Sequence, residues 1–563
     1  MTVLGQMMTE PLLLARVLTH AEKYHGDEEV VSQMPGGQVH RYTYRDLGRR
    51  VRSTAGALAG LGLQAGACIA TLAWNTYRHL ELYFAIPCLG SVCHTINPRL
   101  FHEQIVYIIN HAEDAALFFD VSFAPLVATL RSRCPTVKYW IALAEADGVP
   151  PETPFAQSYE ALLARQQGFP EWPSFDENTA CLLCYTSGTT GNPKGVLFSH
   201  RTTLLHSLAT ALPDALAVSA SEVVCPVVPM FHANGWGLPF TCPMVGAKLV
   251  LAGMDTDGES LYRLFEAEGV TFAGAVPTVW QGLIDHLQAH GLRFSSLRRF
   301  LVGGASCPPS IIRTMWQDYG VDALPGWGMT ELSPIGTLTA AKRKHCALGG
   351  EERLQFKSSH GRPLFGVDLR LRGMHGEELA CDGQSVGELQ VRGLWTVDRY
   401  FRSEQSALVD GWFSTGDIAT IDGDGYLRIT DRSKDMIKSG GEWISSIELE
   451  SIATSHPAVA MAAAIGVASG KWGERPLLVV VQRSGGEPLT KQELLAWYEG
   501  KVAKWWIPDD VLFVPELPMT ATGKLSKLTL RKQYQDYRLP AEGGSLRNGA
   551  GLAATPAPTG GRF

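Results

Sequence analysis

Apolar residues recur at three- and four-residue spacing over residues 10–25 and again over 43–61, where Tyr44, Leu47, Val51, Ala55 and Leu58 fall on one helical face. Short apolar runs separate such segments, at 69–72, 92–96 and 116–119, then at 248–251, 270–273 and 300–302. Runs this short read as buried strands, and strands alternating with helices predict an α/β protein built on a parallel, doubly wound sheet. No tandem repeat of the solenoid kind is present. Past residue 431 the alternation restarts on a smaller scale, with a helix over 447–453, a strand over 476–481, a helix over 489–504 and a strand over 511–514. The pattern therefore divides into a large domain over 1–431, a connector at 432–435 and a small α+β domain over 436–539. The Gly/Ala/Pro/Thr-rich stretch from 540 to 563 has too little apolar bulk to pack and is expected to be a disordered tail.

Composition narrows the field. A chain of 563 residues exceeds what one core usually serves, and 45% apolar content is that of a soluble globular protein. A net charge of −7 opposes a nucleic-acid surface, so the expected partners are small molecules. The apolar stretch 11–15 is closed by Arg16, far short of the ~20 residues of a membrane span, and predicts the first turn of a helix. Eleven cysteines scattered from Cys68 to Cys381 make no disulfide framework, and no secretory leader is read, so a reducing cytoplasm is expected. Cys181-x-x-Cys184 has redox or zinc spacing, yet it falls in an expected strand with no second pair, which predicts inert thiols.

The densest chemistry lies at Tyr185-Thr186-Ser187-Gly188-Thr189-Thr190-Gly191-Asn192-Pro193-Lys194-Gly195, directly after the apolar run 180–184. Glycines let backbone N–H groups turn inward, hydroxyls add donors, and Lys194 adds a mobile positive charge, which together suit nucleotide phosphates. It is not a Walker-type loop: counting from Gly188, the second glycine's place holds Pro193, and Gly195 follows the lysine.

Further strings follow in order. Pro229-Met230-Phe231-His232-Ala233-Asn234-Gly235-Trp236 concentrates aromatics around one histidine; Val302-Gly303-Gly304-Ala305-Ser306 ends a strand with two glycines. Gly326-Trp327-Gly328-Met329-Thr330-Glu331 sets an aromatic, a hydroxyl and a carboxylate side by side, and Trp412-Phe413-Ser414-Thr415-Gly416-Asp417 ends in an acceptor-only carboxylate suited to a vicinal diol. Asp431-Arg432-Ser433-Lys434-Asp435, Lys438-Ser439-Gly440-Gly441-Glu442-Trp443-Ile444-Ser445 and Pro518-Met519-Thr520-Ala521-Thr522-Gly523-Lys524 complete the set. On residue chemistry alone each has an ordinary rival: a polar connector, a packed core histidine, a tight turn, a helix cap or a solvated charged loop.

Taken in this order over residues 10 to 535, the strings resemble the motifs of the adenylate-forming superfamily of acyl-CoA synthetases, adenylation domains and luciferases. The resemblance is greatest to medium-chain fatty-acid–CoA ligases and 3-methylthiopropionyl-CoA ligases. It implies a large nucleotide-binding domain and a small mobile one that pivots at Lys434. It also implies contacts to ATP or AMP from Thr186, Ser187, Gly188, Thr189, Thr190, Gly191, Lys194, Gly303, Gly304, Ala305, Trp327, Gly328, Met329, Thr330, Asp417, Arg432 and Lys524. His232 would lie near the α-phosphate and the reacting carboxylate, with Trp236 gating the acyl tunnel and Gly304 beside the chain. Lys524, His232, Thr330 and Glu331 would be catalytic, and Thr186 with Glu331 would serve Mg²⁺. Lys434, Asp435, Lys438, Gly440, Gly441, Glu442, Trp443 and Glu474 would form the hinge and coenzyme A face.

The function so implied is ATP-dependent ligation of a carboxylic acid to coenzyme A through an acyl-adenylate, with a medium-chain fatty acid as substrate. The alternatives are a short-chain or 3-(methylthio)propionate ligase and, further off, an aryl-CoA ligase, a luciferase-like oxygenase or a silent nucleotide-binding homologue. ATP, coenzyme A and a small carboxylic acid are the expected partners, nucleic acid is not, and a homodimer is left open.

Overall fold

The computed structural model describes residue 3 and residues 5–166, 171–186, 192–373, 375–440, 442–483, 489–519 and 525–540. The chain divides into two compact units, Met1–Ser433 and Lys434–Phe563. Apart from residue 540, the expected tail over 540–563 lies outside the described residues, as do Ser187, Gly188, Thr189, Thr190, Gly191, Gly441 and Lys524.

In the first unit the helical periodicities become helices with one buried face. Thr43 caps Tyr44–Gly60: its side chain accepts from the Asp46 N–H while the Asp46 carboxylate accepts from the Thr43 N–H at 3.1 Å. The same helix buries Tyr44, Leu47, Val51, Ala55 and Leu58, the stripe read from the sequence. Tyr77–Cys88 is a different case, because every residue in it is buried. A helix enclosed all round carries no amphipathic signal, and its polar members are held by partners instead: Glu81 takes Arg50 and Tyr159, and Arg78 takes Glu160.

The strands form three sheets in this unit. One runs in the order Arg362–Pro363, Ile335–Leu338, Asp322–Gly328, Arg299–Val302, Phe272–Ala275, Val223–Pro226, Lys248–Leu251, Glu29–Gln33 and Val39–Thr43. Its interior is parallel, and only the outer pairings at either edge are antiparallel. A second sheet orders Gln157–Ser158, Tyr139–Ala142, Ala116–Phe119, Cys68–Leu72, Val92–Thr95, Ala180–Thr186 and Lys194–Ser199, parallel except for the last pair. A third, antiparallel sheet takes Val367–Arg372, Gly387–Gly393, Trp412–Ile421, Leu408–Val409 and Leu427–Arg432. The periodicity reading left that third sheet unassigned.

The second unit is a mixed sheet of Glu442–Ile444, Ile437–Ser439, Gly473–Gln482, Val459–Ser469 and Asp510–Phe513, with helices Ser446–Thr454, Lys491–Trp497 and Lys527–Gln533. The helix expected over 489–504 is shorter than that. It is capped by Thr490 and Glu493 and gives way to turns around Gly500, whose φ of +73° lies in the left-handed region.

Candidate active site

Parallel strands deliver their C-terminal ends to one edge of a sheet, and ligands of open α/β sheets gather there. Val223–Pro226 leads to His232 and Trp236, Arg299–Val302 to Gly303, Gly304 and Ala305, and Asp322–Gly328 to Met329, Thr330 and Glu331. The second sheet contributes Ala180–Thr186, whose last residue is in register with Lys194 across the hydroxyl loop.

The aromatic–histidine segment is held in an unusual backbone. Asn234, Gly235 and Trp236 have φ of 57°, 59° and 56°, and Gly237 follows at 79°. A left-handed turn costs roughly 1–2 kcal/mol for each non-glycine residue, so the surroundings must hold it. They do so from several directions. Asn234 Oδ1 accepts from the Cys184 thiol at 3.1 Å, and that thiol also meets Thr95 Oγ1 at 3.1 Å. Asn75 donates to the carbonyls of Pro226 and Val228 at 2.9 Å each and accepts from the Met230 N–H at 2.7 Å. A Cβ placed on Gly237 would lie 2.8 Å from the His206 ring, so only glycine fits there. The buried Trp236 indole is thereby laid against the glycine pair: a Cβ on Gly303 would sit 3.6 Å from it, and one on Gly304 3.8 Å. Gly304 and Ala305 themselves are exposed.

Trp327 continues the wall. Its Nε1 donates to Asp417 Oδ2 at 2.9 Å, while Arg432 Nε reaches Asp417 Oδ1 at 2.9 Å from the neighbouring strand, where the two residues are in register. A Cβ on Gly336 would meet the Trp327 ring at 2.9 Å, so the absence of a side chain there lets the indole approach the backbone closely. Asp417 is buried and Arg432 exposed, which turns the pair into a carboxylate fixed at the wall and a guanidinium at its rim.

Glu331 is the middle residue of the short turn Thr330–Leu332 and is buried. Burial pushes its carboxyl up from the ordinary carboxylate range, against the opposing pull of the Tyr400 hydroxyl and the cations Arg432 and Lys194. Tyr400 donates to Glu331 Oε1 at 2.9 Å, and the Lys194 ammonium stands 4.8 Å above the same tyrosine ring. A cavity of about 290 Å³ backs this group, lined by Val196, Phe198, Glu331, Ser333, Trp395 and Tyr400 among others. A larger cleft, lined by Leu364, Phe365, Leu394 and Leu408, touches none of the expected site residues.

Cys181 and Cys184 are buried in their strand, and burial raises the thiols to about 12 and about 11, so neither is a thiolate near neutrality. No cluster of three or more metal-type ligands occurs among the described residues. One carboxylate at Glu331 and one hydroxyl at Thr186 do fit Mg²⁺, which keeps several waters and takes its remaining oxygens from substrate phosphates.

In the second unit Lys438, Glu442 and Trp443 lie in the hairpin of Ile437–Ser439 and Glu442–Ile444, with Lys438 in register with Trp443. Glu474 Oε2 accepts from the Lys438 N–H at 3.0 Å, and the Gly440 N–H donates to the Trp472 carbonyl at 2.8 Å. Gly440, at φ +62°, lies under the Trp472 ring, 2.9 Å from where a Cβ would be. Asp435 is buried in an ion pair with Arg531, Lys434 and Lys438 are exposed, and Trp443 is half-buried.

Two residues of the first unit's wall escaped the sequence reading. Asn75 sits three residues past the end of the strand Cys68–Leu72, where a lone amide gives no motif, and Tyr400 stands within Asp398-Arg399-Tyr400-Phe401-Arg402, which reads as a charged loop.

The buried Trp327–Asp417 pair, with the Arg432 guanidinium at its rim, stands beside the strand edge where ligands of open α/β sheets gather. The chain belongs to the AMP-binding enzyme family: the model of that family matches residues 17–401, and that of the AMP-binding enzyme C-terminal domain matches 448–524. A 3-methylmercaptopropionyl-CoA ligase from Ruegeria lacuscaerulensis is 51% identical over 536 residues, covering 95% of this chain and 99% of its own. A medium-chain-fatty-acid–CoA ligase from Ectopseudomonas oleovorans is 49% identical over 539 residues, with 95% and 98% covered. Among solved structures, ATP-bound MatB from Rhodopseudomonas palustris superposes with a TM-score of 0.79 at 25% identity, over 94% of this chain and 99% of that one. The reaction class is AMP-forming acid–thiol ligation, the formation of an acyl-CoA by way of an acyl-adenylate. No helix among the described residues is long and apolar enough to cross a membrane.

Proposed function

We propose that this ligase activates a medium-chain fatty acid. The observation that carries the reading is the apolar wall made by Trp236 on Gly303 and Gly304, with Val276 Cγ1 3.3 Å from a Cβ placed on Gly304. A large indole can close an apolar channel with little loss of side-chain entropy, which suits an alkyl chain more than a charged substrate. The similarity to a 3-methylmercaptopropionyl-CoA ligase, at 51% identity, favours a second reading, 3-(methylthio)propionate, whose thioether chain is also apolar.

A carboxylate is a poor acylating agent because oxide would have to leave. Its oxygen attacks the α-phosphorus of ATP, the bond to the bridging oxygen breaks, and diphosphate departs with the electron pair. Lys194 and Lys524 supply positive charge to the phosphates, Thr330 donates to the α-phosphate, and His232 borders the reacting carboxylate. Mg²⁺, held by Glu331 and Thr186, would neutralise phosphate charge when bound. Asp417 and Arg432 take the ribose hydroxyls, and Trp327, with Gly328 and Met329, borders the adenine. In the second step the coenzyme A thiol loses its proton, its sulfur attacks the acyl carbonyl, and AMP leaves. Lys434, Lys438, Gly440, Gly441, Trp443 and Glu474 serve that step. Removing one electrostatic contact in the first step costs on the order of 3 kcal/mol, or about a hundredfold in rate.

The substrate reading is tested by diphosphate release from a panel of C2 to C18, branched, aromatic and methylthio acids, with and without coenzyme A. A maximum in kcat/KM at medium chain length supports it, and a maximum at 3-(methylthio)propionate replaces it with the second reading. Lys524→Ala should nearly abolish adenylation while sparing thioester formation from supplied acyl-adenylate, and a bulky residue at Gly441 should do the reverse. Equal loss of both half-reactions in both folded variants removes these two assignments. A cytoplasmic setting belongs to the same reading, and light scattering on the purified enzyme decides between monomer and homodimer.

A further inference from the structure

Tyr400 is the one side chain that touches both the hydroxyl-loop lysine and the buried carboxylate in the bonds described above. Its hydroxyl donates to Glu331 Oε1 at 2.9 Å, and its ring carries the Lys194 ammonium at 4.8 Å from the centroid. The ring is half-buried, and its place is fixed by the backbone around it. The Phe401 N–H donates to the Gly195 carbonyl at 2.8 Å, next to Lys194, and the Val397 N–H donates to the Glu331 carbonyl at 2.9 Å. The segment 397–401 is thus laced at one end to the loop-bearing strand and at the other to the glutamate's own backbone.

A flexible lysine and a carboxylate would otherwise meet directly as an ion pair and neutralise each other. With an aromatic ring between them, the ammonium rests on a π-face and the carboxylate on a phenol O–H, so both stay available to a ligand of mixed charge. We propose that Tyr400 is a positioning residue that holds Lys194 and Glu331 apart at a fixed spacing, so that a nucleoside triphosphate with its divalent cation is received by both at once. The proposal rests on Glu331 serving the metal, as in the function above. Phosphate charge falls to Lys194, the cation to Glu331, and the spacing between them to the tyrosine.

The test is equilibrium calorimetry with the non-hydrolysable α,β-methylene analogue of ATP, in Mg²⁺ and in EDTA, on the full-length enzyme. Thermal unfolding followed by circular dichroism confirms that each variant folds. Tyr400→Phe keeps the ring and loses the hydroxyl. It should leave affinity in EDTA within about twofold of wild type and cut the gain conferred by Mg²⁺ by about tenfold, the worth of one hydrogen bond to a charged group. Tyr400→Leu also removes the ring and should weaken binding in EDTA. Tyr400→Gln, which offers Glu331 another donor, should restore part of the Mg²⁺ gain, a rescue that a purely structural ring would not show. In a Glu331→Gln background Tyr400→Phe should add nothing, because the two act through one contact.

An undiminished Mg²⁺ gain in Tyr400→Phe overturns the proposal, as does an equal loss in Mg²⁺ and EDTA or full additivity with Glu331→Gln. The two readings separate in the single variants. If Glu331→Gln keeps the Mg²⁺ gain, the metal assignment fails; if it loses the gain while Tyr400→Phe keeps it, only the role of Tyr400 fails.

Discussion

The Trp327 indole N–H donates to one oxygen of Asp417 at 2.9 Å, and the other oxygen of that carboxylate is held by Arg432 at the same distance. Two residues 90 positions apart in the chain thereby form one surface, an aromatic face joined to a buried acceptor. Asp417 is thus already oriented, so under the proposed function little ordering would remain when a ribose binds.

That relationship sets the first prediction. Asp417→Asn should raise the KM for ATP by about tenfold, since one charged acceptor is lost, and leave the KM for the carboxylic acid nearly unchanged. Trp327→Phe should act in the same direction but more weakly, because an aromatic face stays while the hydrogen bond to Asp417 and the second ring of the indole go. Initial rates with each substrate varied separately measure both effects.

The proposed function places Trp236 on the acid side of the site. Trp236→Leu should change the ranking of acids by chain length, with kcat/KM ratios between neighbouring lengths moving by about tenfold, while the KM for ATP stays within about twofold. An unchanged ranking would remove the tryptophan from the acyl wall.

Acid lability follows from buried imidazoles. His79, His200 and His360 are lowered to about 4 and His206 to about 3, each chiefly by burial; His206 Nε2 accepts from the Ile335 N–H, which requires the neutral ring. In the unfolded chain histidine titrates near 6.5, so below that pH the unfolded state takes up protons that the folded state refuses. Each of these histidines should therefore remove about 1.4 kcal/mol of stability per pH unit on the way from about 6.5 down to its folded value, and nothing above pH 7. Thermal midpoints across pH 5–8 test the sign, and His206→Gln should flatten the acidic side.

A buried ion cluster gives a stability prediction away from the chemistry. Arg50 bonds Glu81 at 2.6 Å and Glu160 at 2.8 Å, and Glu81 is fully enclosed, with Tyr159 as its other partner at 2.6 Å. Arg50→Met strands that carboxylate and should cost about 3–5 kcal/mol, read from urea unfolding. The double variant Arg50→Met with Glu81→Leu should recover much of the loss.

The stripe Tyr44, Leu47, Val51, Ala55 and Leu58 and the short runs that became parallel strands were legible because amphipathic spacing and burial are properties of consecutive residues. Motif order did the same for the family, since each string is local. The enclosed helix Tyr77–Cys88 left no such trace, because a segment packed on every side has no polar face to mark its period. The antiparallel sheet over 367–432 was missed for another reason: its strands alternate over a few residues, with burial mixed by exposed neighbours, as in Val367–Arg372. Pairings such as Cys184 with Asn234, Trp327 with Asp417 and Tyr400 with both Lys194 and Glu331 join residues from different sheets and loops. Distance along a chain carries no information about such meetings; they exist once the strand edges have been brought together, and the left-handed turn at Trp236 is affordable only inside that packing.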